Sequence, residues 1–345
     1  MDSSDTEFQD LFAPPELPLR LLSPDEVERF AQERVIHATN VLSPQWVQFI
    51  ADAVDANTQA SGLQSMKSNA WHSDADMHRV IMNCPVAHLA QQLLNVLTPP
   101  PDPTPSGNLK PVRFFYDQMF VKHPDQQDEA GDADAQGALG NTPWHHDITF
   151  WPVEGEQIVS IWIALDRTNL DNGGLEFVPG SSGFGNQYQA IGVGDRGRVA
   201  FSSDTLAPLP TITSATTGET NGELSAISFD MEPGDVLIFD AKILHGAPPN
   251  RTPHPRRGIA LRYLGSDVAL NNDKYGERTS MAPFDCYDES LSNGDLVTGH
   301  VYPQILPDKI RAEVDTRLEA AIVPSREKFG RWLERKAASD AAPEG

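Results

Sequence analysis

The sequence has 345 residues, with 26 lysines and arginines against 49 aspartates and glutamates, and a formal net charge of −23. The length suits one large domain or two modest ones, and a hydrophobic fraction of 39% indicates a folded chain rather than a disordered one. Nucleic acids and anionic membranes attract surplus lysine and arginine, so the acidic balance argues against either as the main partner.

Cysteine usage and the absence of targeting patterns predict a cytoplasmic protein. Cys84 and Cys286 are too few for a disulfide framework or a cysteine-based zinc site, so we expect two reduced thiols. No apolar run reaches the roughly 18 residues of a membrane-spanning helix. The acidic first residues do not resemble a secretory signal.

The N-terminal part predicts an arm followed by helices. Residues 1–22 contain three prolines and little periodicity, which is typical of an arm lying on the fold or of a flexible tail. Ser23-Pro24-Asp25-Glu26 has the pattern of a capping box with proline at the first helical position, and Ser43-Pro44 repeats the start signal. A third helical stretch, 85–97, is expected to end at the proline cluster 98–103.

From residue 112 onward the hydrophobic period changes from that of helices to that of strands. The β-like segments are 112–122, 143–151, 157–165, 174–178, 235–245 and 257–265. Turn patterns rich in Asp, Asn, Gly and Pro separate several of them. The pattern therefore predicts a mainly β fold, a sandwich or jelly roll, with α-helices packed outside.

Two inserts and a C-terminal extension flank this core. Residues 125–138 carry no large apolar side chain and predict a mobile solvated loop. Residues 202–226 are rich in Thr, Ser, Gly and Pro and are interpreted as a candidate lid, with a plain excursion as the alternative. We expect a core domain over 23–306 and helices and a tail over 307–345.

The sharpest chemical feature is the stretch Thr142-Pro-Trp-His145-His-Asp147. On a strand, residues i and i+2 point to the same side, so His145 and Asp147 are expected to converge. The best candidate for a third ligand is His245, at the end of the apolar segment that follows the Pro-Gly-Asp turn. His72 and Asp74 repeat the spacing, but in a polar stretch before a helix, which disfavours them as a metal site.

Two histidines and one carboxylate with open positions are typical of non-haem Fe(II) oxygenases. The open positions can accept the carboxylate and keto oxygens of a 2-oxo acid and leave one site for O₂. A zinc hydrolase uses similar ligands, so the three residues alone do not determine the reaction. An arginine on the next strand can form a bidentate pair with the far carboxylate of a dicarboxylic cosubstrate, and Arg256 and Arg257 are the candidates.

These stretches, together with VSIWIALD, NGGLEFVPGSS and PGDVLIFDAKILHG, resemble the phytanoyl-CoA dioxygenase family of Fe(II)/2-oxoglutarate oxygenases. The resemblance covers roughly residues 22–306 and implies a double-stranded β-helix of the jelly-roll, cupin-like type. It also implies hydroxylation coupled to decarboxylation of 2-oxoglutarate to succinate and CO₂. The family acts on many kinds of substrate, and we expect a small or medium organic molecule here.

The resemblance also assigns site residues. It implies that His145, Asp147 and His245 bind iron and act in catalysis. The residues implied to bind the cosubstrate are Arg256, Trp162, Gln118 and Lys122. Family spacing selects Arg256 for the far carboxylate, whereas hydrophobic alternation favours Arg257.

Two departures from the family and one rival function remain. Ser182 and Ala247 stand where the family often has a histidine and a serine. A non-catalytic cupin-like metal or ligand binder stays as an alternative beside the zinc hydrolase. The sequence carries no pattern that predicts an oligomeric state.

Overall fold

The computed structural model describes residues 17–61, 66–97, 111–124, 141–185, 188–194, 197–201, 206–215, 223–271, 290–299 and 301–306. Within these ranges the α-helices are α1 (Pro24–Glu33), α2 (Pro44–Ser61), α3 (Ala75–Asn83) and α4 (Ala87–Leu97). Short 3₁₀ turns lie at Ala70–His72, Asp147–Thr149 and Ser181–Phe184. The strands are β1 (Val35–Ala38), β2 (Met66–Ser68), β3 (Val112–Lys122), β4 (Thr142–His145), β5 (Val153–Glu154), β6 (Ile158–Ala164), β7 (Glu176–Phe177), β8 (Ala190–Gly194), β9 (Gly197–Phe201), β10 (Ile212–Thr213), β11 (Leu224–Ser225), β12 (Ile227–Ser228), β13 (Val236–Asp240), β14 (His245–Ala247), β15 (Arg256–Leu264), β16 (Ala269–Leu270) and β17 (Gln304–Leu306).

The larger sheet is antiparallel and has the order β1-β13-β6-β15-β3-β17, with β2 also paired to β3. Alternation along its strands separates two faces. In β6, Ile161 and its apolar neighbours two residues away join the core shared with the helices, whereas Trp162 belongs to the core on the opposite face. The helices therefore cover one face, and the other face forms one wall of the barrel interior.

The smaller antiparallel sheet has the order β12-β7-β14-β4. Phe177 of this sheet packs in one buried cluster with Trp162 and Phe239 of the larger sheet. Two antiparallel sheets enclosing a common core, with helices outside, confirm the predicted mainly β jelly-roll class.

Both predicted helix starts are present. The Ser23 hydroxyl accepts the Glu26 N–H at 3.3 Å and the Glu26 carboxylate accepts the Ser23 N–H at 2.8 Å, which completes the capping box of α1. The Ser43 hydroxyl likewise accepts the Trp46 N–H at the start of α2. Local hydrogen bonding thus determines where these helices begin.

Two predicted strands are corrected. The strand expected over 143–151 ends at His145, and Asp147 opens a 3₁₀ turn. The strand expected over 235–245 is split, because β13 lies in the larger sheet and β14 in the smaller one. The chain changes sheets between them, and an alternation pattern along one segment does not reveal such a crossover.

The insert over 202–226 is described in part. Residues Ile212 and Leu224 pack with Trp144 and Leu244 on the side of the smaller sheet opposite the neighbouring histidines. The buried Glu176 carboxylate accepts hydrogen bonds from the Ser214 hydroxyl and the Ala215 N–H, both at 2.6 Å. These contacts attach part of the insert to the smaller sheet, and both the lid and the plain excursion stay predictions.

Several other expectations fall outside the described residues. They concern the arm before residue 17, the proline cluster, the acidic loop, Cys286 and the C-terminal helices. Cys84 is buried and forms no disulfide with a described residue. Among the described helices, none combines the length and apolar character needed to cross a membrane.

Candidate metal centre

Two neighbouring strands of the smaller sheet bring the predicted histidines together. His145 at the end of β4 lies directly opposite His245 at the start of β14, and their ring centroids are 4.2 Å apart. Asp147 reaches the pair from the 3₁₀ turn that follows β4. The sequence thus predicted the right convergence, although a turn rather than a continuous strand delivers the carboxylate.

The three side chains present their donor atoms to one point. Asp147 Oδ1 lies 3.6 Å from His145 Nε2 and 3.8 Å from His245 Nε2. One ligand atom from each residue lies within 4.8 Å of the other two, a spacing that can hold a metal ion. In the described part of the chain, no other group of three such residues meets this criterion.

Backbone carbonyls determine the tautomer of both imidazoles. His145 Nδ1 lies 2.7 Å from the Pro143 carbonyl oxygen, and His245 Nδ1 lies 3.1 Å from the Ile243 carbonyl oxygen. A carbonyl oxygen only accepts, so each Nδ1 donates its proton and each Nε2 keeps its lone pair for a metal. Burial, followed by His145, lowers the pKa of His245 to about 3, which keeps that imidazole neutral near pH 7.

The second oxygen of Asp147 is held from the opposite side. The Ser160 hydroxyl donates to Asp147 Oδ2 at 3.3 Å, and Arg262 Nε lies 3.6 Å from the same atom. Burial alone raises the pKa of this carboxyl, but Arg262 and the two imidazoles outweigh burial and lower it below its usual value. Asp147 is therefore ionised, as a metal ligand requires.

Arg256 is a buried cation inside the barrel. Its Nη2 donates to the Gly173 carbonyl oxygen at 2.5 Å, and its guanidinium lies 5.1 Å from the Trp162 ring. Its Nε has no hydrogen-bond partner within the described ranges, and burial lowers the pKa of the side chain to about 10. A Cβ at Gly258 would overlap the Trp162 indole, so the ring can lie here only because residue 258 has no side chain.

Arg257 points the other way. It shares a face with Ile259 and Leu261, as alternation predicts, but that face packs against the helices and not the barrel interior. Its guanidinium pairs with Asp166 at 2.8 Å and with Asp55 at 2.7 Å. Alternation identifies which residues share a face, and the helices determine which face is inside the barrel.

The two polar residues singled out on β3 both lie on its inner face, alternating with the helix-facing Met119 and Val121. Gln118 Oε1 accepts a hydrogen bond from Arg262 Nη2 at 2.9 Å. Lys122 Nζ donates to the Pro248 carbonyl oxygen at 2.5 Å, and burial followed by Arg256 lowers its pKa well below the usual value. Lys122 thus ties the loop after β14 to β3, and its predicted cosubstrate contact stays a prediction.

The second His-x-Asp pattern has a structural explanation. Asp74 accepts the Met77 N–H at 2.8 Å and caps α3. His72 is buried against Trp71, with ring centroids 4.0 Å apart.

Sequence reasoning missed Ser160 and Arg262. Each is a polar residue at an inward-facing position with apolar neighbours on both sides, Ser160 in β6 and Arg262 in the second half of β15. Polar residues at such positions require buried partners, and this signal was available in the sequence.

Comparison with known proteins identifies the family. The family model for phytanoyl-CoA dioxygenase (PhyH) matches residues 17–258, which are 242 of the 345 residues. An ectoine dioxygenase of Bordetella bronchiseptica (strain ATCC BAA-588 / NCTC 13252 / RB50) is 28% identical over 138 residues, covering 39% of this chain and 44% of the relative. Dioxygenase lolE1 of Epichloe uncinata is 28% identical over 149 residues, covering 43% of this chain and 49% of the relative. The alignments therefore span about half the length of these curated relatives.

Solved structures share the fold at low identity. The non-heme alpha ketoglutarate dependent carbocyclase SnoK from nogalamycin biosynthesis superposes with a TM-score of 0.57 and 18% identity, covering 82% of this chain and 96% of that one. EctD from S. alaskensis in its apoform superposes with a TM-score of 0.52 and 17% identity, covering 78% of this chain and 86% of that one. The family model covers more than two thirds of the sequence and the fold agrees with it, so the protein belongs to the phytanoyl-CoA dioxygenase family.

Proposed function

We propose that the protein is an Fe(II)/2-oxoglutarate-dependent dioxygenase that hydroxylates a C–H bond of a small or medium organic molecule. The observation that carries this proposal is the pairing of two features in one barrel. One is the convergence of His145, Asp147 and His245, and the other is the buried, incompletely bonded cation of Arg256.

The donor set fits a non-haem iron. Two imidazoles and one carboxylate on one side of a metal leave its remaining positions open, which is the ligand set of Fe(II) oxygenases. When bound, the iron would supply activation of O₂ coupled to oxidation of 2-oxoglutarate to succinate and CO₂. His145 and His245 would bind through Nε2 and Asp147 through Oδ1, because these atoms already face one another.

The surroundings of Arg256 fit the far carboxylate of 2-oxoglutarate. A buried guanidinium with an unbonded donor is costly unless an anion joins it. Trp162 covers the guanidinium, and Gly173 holds one of its nitrogens in place. A carboxylate can therefore meet an arginine that is already oriented, which reduces the entropy cost of binding.

The remaining residues orient the ligands and exclude water. Phe177 and Phe239 lie 5.8 and 5.0 Å from the His245 ring, between centroids, and Phe150 lies 5.4 Å from the His145 ring. Ser160 and Arg262 keep Asp147 Oδ2 occupied, which leaves Oδ1 for the metal. An apolar, pre-oriented site favours reaction at a substrate C–H bond over side reactions with water.

The alternatives leave Arg256 without a role. A zinc hydrolase can use the same three ligands, and a metal-binding cupin-like protein needs only the metal, so neither requires a buried arginine free to receive a carboxylate. The Bordetella relative is an ectoine dioxygenase, and ectoine is a small molecule, which supports the same size class here.

The test measures the conversion of 2-oxoglutarate to succinate by protein loaded with Fe(II) in the presence of ascorbate. The wild type should form succinate, and His145→Ala and Asp147→Ala should reduce this at least about 10³-fold while Fe(II) affinity falls. Asp74→Asn is the matched control from the second His-x-Asp pattern and should retain turnover. Turnover that persists in both ligand variants would refute the metal assignment. If the wild-type protein forms no succinate with Fe(II) but catalyses a hydrolysis when loaded with Zn(II), the zinc hydrolase is favoured.

A further inference from the structure

A second buried arginine lies on the same face of β15 as Arg256. Arg262 is 3% exposed, and its Nε approaches Asp147 Oδ2 to 3.6 Å, too far for a hydrogen bond. Its Nη2 donates to Gln118, whereas Nε and Nη1 have no hydrogen-bond partner within the ranges described. Buried donors of a charged group normally have partners, so an acceptor is missing here.

Aromatic rings hold this guanidinium in one orientation. Its carbon lies 4.3 Å from the Tyr116 ring centroid and 5.5 Å from that of Trp151. The Trp151 indole N–H in turn donates to the Tyr116 hydroxyl at 2.8 Å. The rings cover the faces of the guanidinium, so an anion can reach Arg262 only in the plane of the group. The edge that does not face Asp147 consists of the unpaired Nη1 and of Nη2, which has a second N–H beside the one it donates to Gln118, and this edge matches the two oxygens of a carboxylate.

The charges around the predicted metal favour an additional anion. Asp147 is the carboxylate that pairs with Arg262, and the same carboxylate would also bind the metal dication, so its single charge would face two cations. Buried charges are costly unless they are paired. One monoanionic ligand would complete the balance.

The register of β15 separates the two arginines. They are six residues apart, which corresponds to about 20 Å along a strand. Ser160 lies opposite Arg262 on the neighbouring strand and donates a hydrogen bond to Asp147. Arg262 therefore lies at the end of β15 that is near Asp147, and Arg256 lies at the other end. The cosubstrate would reach from the metal toward Arg256, which leaves the Arg262 end for a different molecule.

We infer that Arg262 binds a carboxylate of the primary substrate and selects for carboxylic acids. This inference rests on the proposed function and extends it by naming the substrate class. Arg262 therefore has two contacts, one with Asp147 and one with the incoming substrate, and the second determines specificity.

The test uses matched acids and amides as probes. Anaerobic protein loaded with Fe(II) and 2-oxoglutarate is titrated calorimetrically with phenylacetate and phenylacetamide, and with cyclohexanecarboxylate and cyclohexanecarboxamide. In the wild type each acid should bind at least about tenfold more tightly than its amide, since charge-assisted pairs are about twice as strong as neutral ones. The acid-to-amide ratio should fall to about one in Arg262→Gln.

Two further variants keep the test decisive. Arg262→Lys retains the charge beside Asp147 but not the forked donors, so it should fold and keep only part of the acid preference. It carries the test if Arg262→Gln does not fold. Arg257→Gln, on the helix-facing side of the same strand, should keep the full preference.

The outcomes separate this inference from the function beneath it. If the wild-type protein binds neither Fe(II) nor 2-oxoglutarate, the proposed function and this inference are both wrong. Protein that binds them but treats acids and amides alike, or an Arg262→Gln variant that keeps the preference, overturns the inference alone. If Arg262→Gln lowers the affinity for 2-oxoglutarate as strongly as Arg256→Gln does, Arg262 binds the cosubstrate instead and the inference is wrong.

Discussion

Replacing Arg256 by glutamine should separate cosubstrate binding from folding. The proposed function gives Arg256 a two-pronged contact with the far carboxylate of 2-oxoglutarate, at about 1.5–3 kcal/mol for each hydrogen bond to a charged group. Allowing for the hydrogen bonds that glutamine retains, we expect a loss of about 2–4 kcal/mol, roughly 30- to 1000-fold in the Kd of 2-oxoglutarate.

Ligand-free protein should respond weakly to the same change. Arg256→Gln loses the hydrogen bond to Gly173 but also removes a buried, incompletely bonded charge. The two effects have opposite signs, so we expect the free energy of unfolding to change by no more than about 1 kcal/mol.

Thermal unfolding with and without 2-oxoglutarate measures both quantities. A concentration of 100 times the wild-type Kd stabilises the native state by about 2.7 kcal/mol, and a hundredfold rise in Kd reduces that to about 0.4 kcal/mol. Arg257→Gln is the control, because it breaks the partly exposed pairs with Asp166 and Asp55 and should leave the ligand effect unchanged. A loss of the ligand effect in Arg257→Gln but not in Arg256→Gln would refute the reasoning.

Three further predictions concern other parts of the molecule. Gly258→Ala should displace the Trp162 indole and lower the free energy of unfolding by about 1–3 kcal/mol, and an unchanged urea midpoint would contradict the close packing. Glu176→Ala should speed amide hydrogen exchange at Ala215 without changing Fe(II) affinity, and unchanged exchange would show that this carboxylate does not anchor the insert. Burial lowers the pKa of His72 to about 3, so the unfolded chain binds the extra proton between about pH 6.5 and 3, and stability falls as the pH falls through that window. His72→Gln should reduce this slope by up to about 1.4 kcal/mol per pH unit in urea titrations, and equal slopes would contradict the burial argument.

The parts of the fold that local pattern determines were predictable. The capping box of α1 and the long strands β3, β6 and β15 follow from side chains near in sequence, and the structure has them close to the expected bounds. The crossover between β13 and β14 was not predictable, since it depends on which sheet each half of the segment joins. Short strands such as β1 and β2 were missed because they are held mainly by pairing with partners distant in sequence.

The candidate site shows the same division. His145 and Asp147 were placed together by their spacing, although the turn at Asp147 was not expected. The choice between Arg256 and Arg257 could not be made from alternation, because both faces of β15 are buried and only the helices distinguish them. Alternation could have marked Ser160 and Arg262 as buried polar residues, but their shared contact with Asp147 depends on which strands are neighbours, and register is a tertiary property.

The direct pairing of His145 with His245 separates the geometry of the site from the length of chain between them. The ladder between β4 and β14 determines the spacing of the two imidazoles, and a register irregularity directly after His245 helps to pin that ladder against slippage. Insertions and deletions in the loops between these strands can therefore accumulate without moving either ring. A scaffold of this kind lets evolution, or an engineer, exchange whole loops to recruit new substrates while the reactive centre is inherited intact.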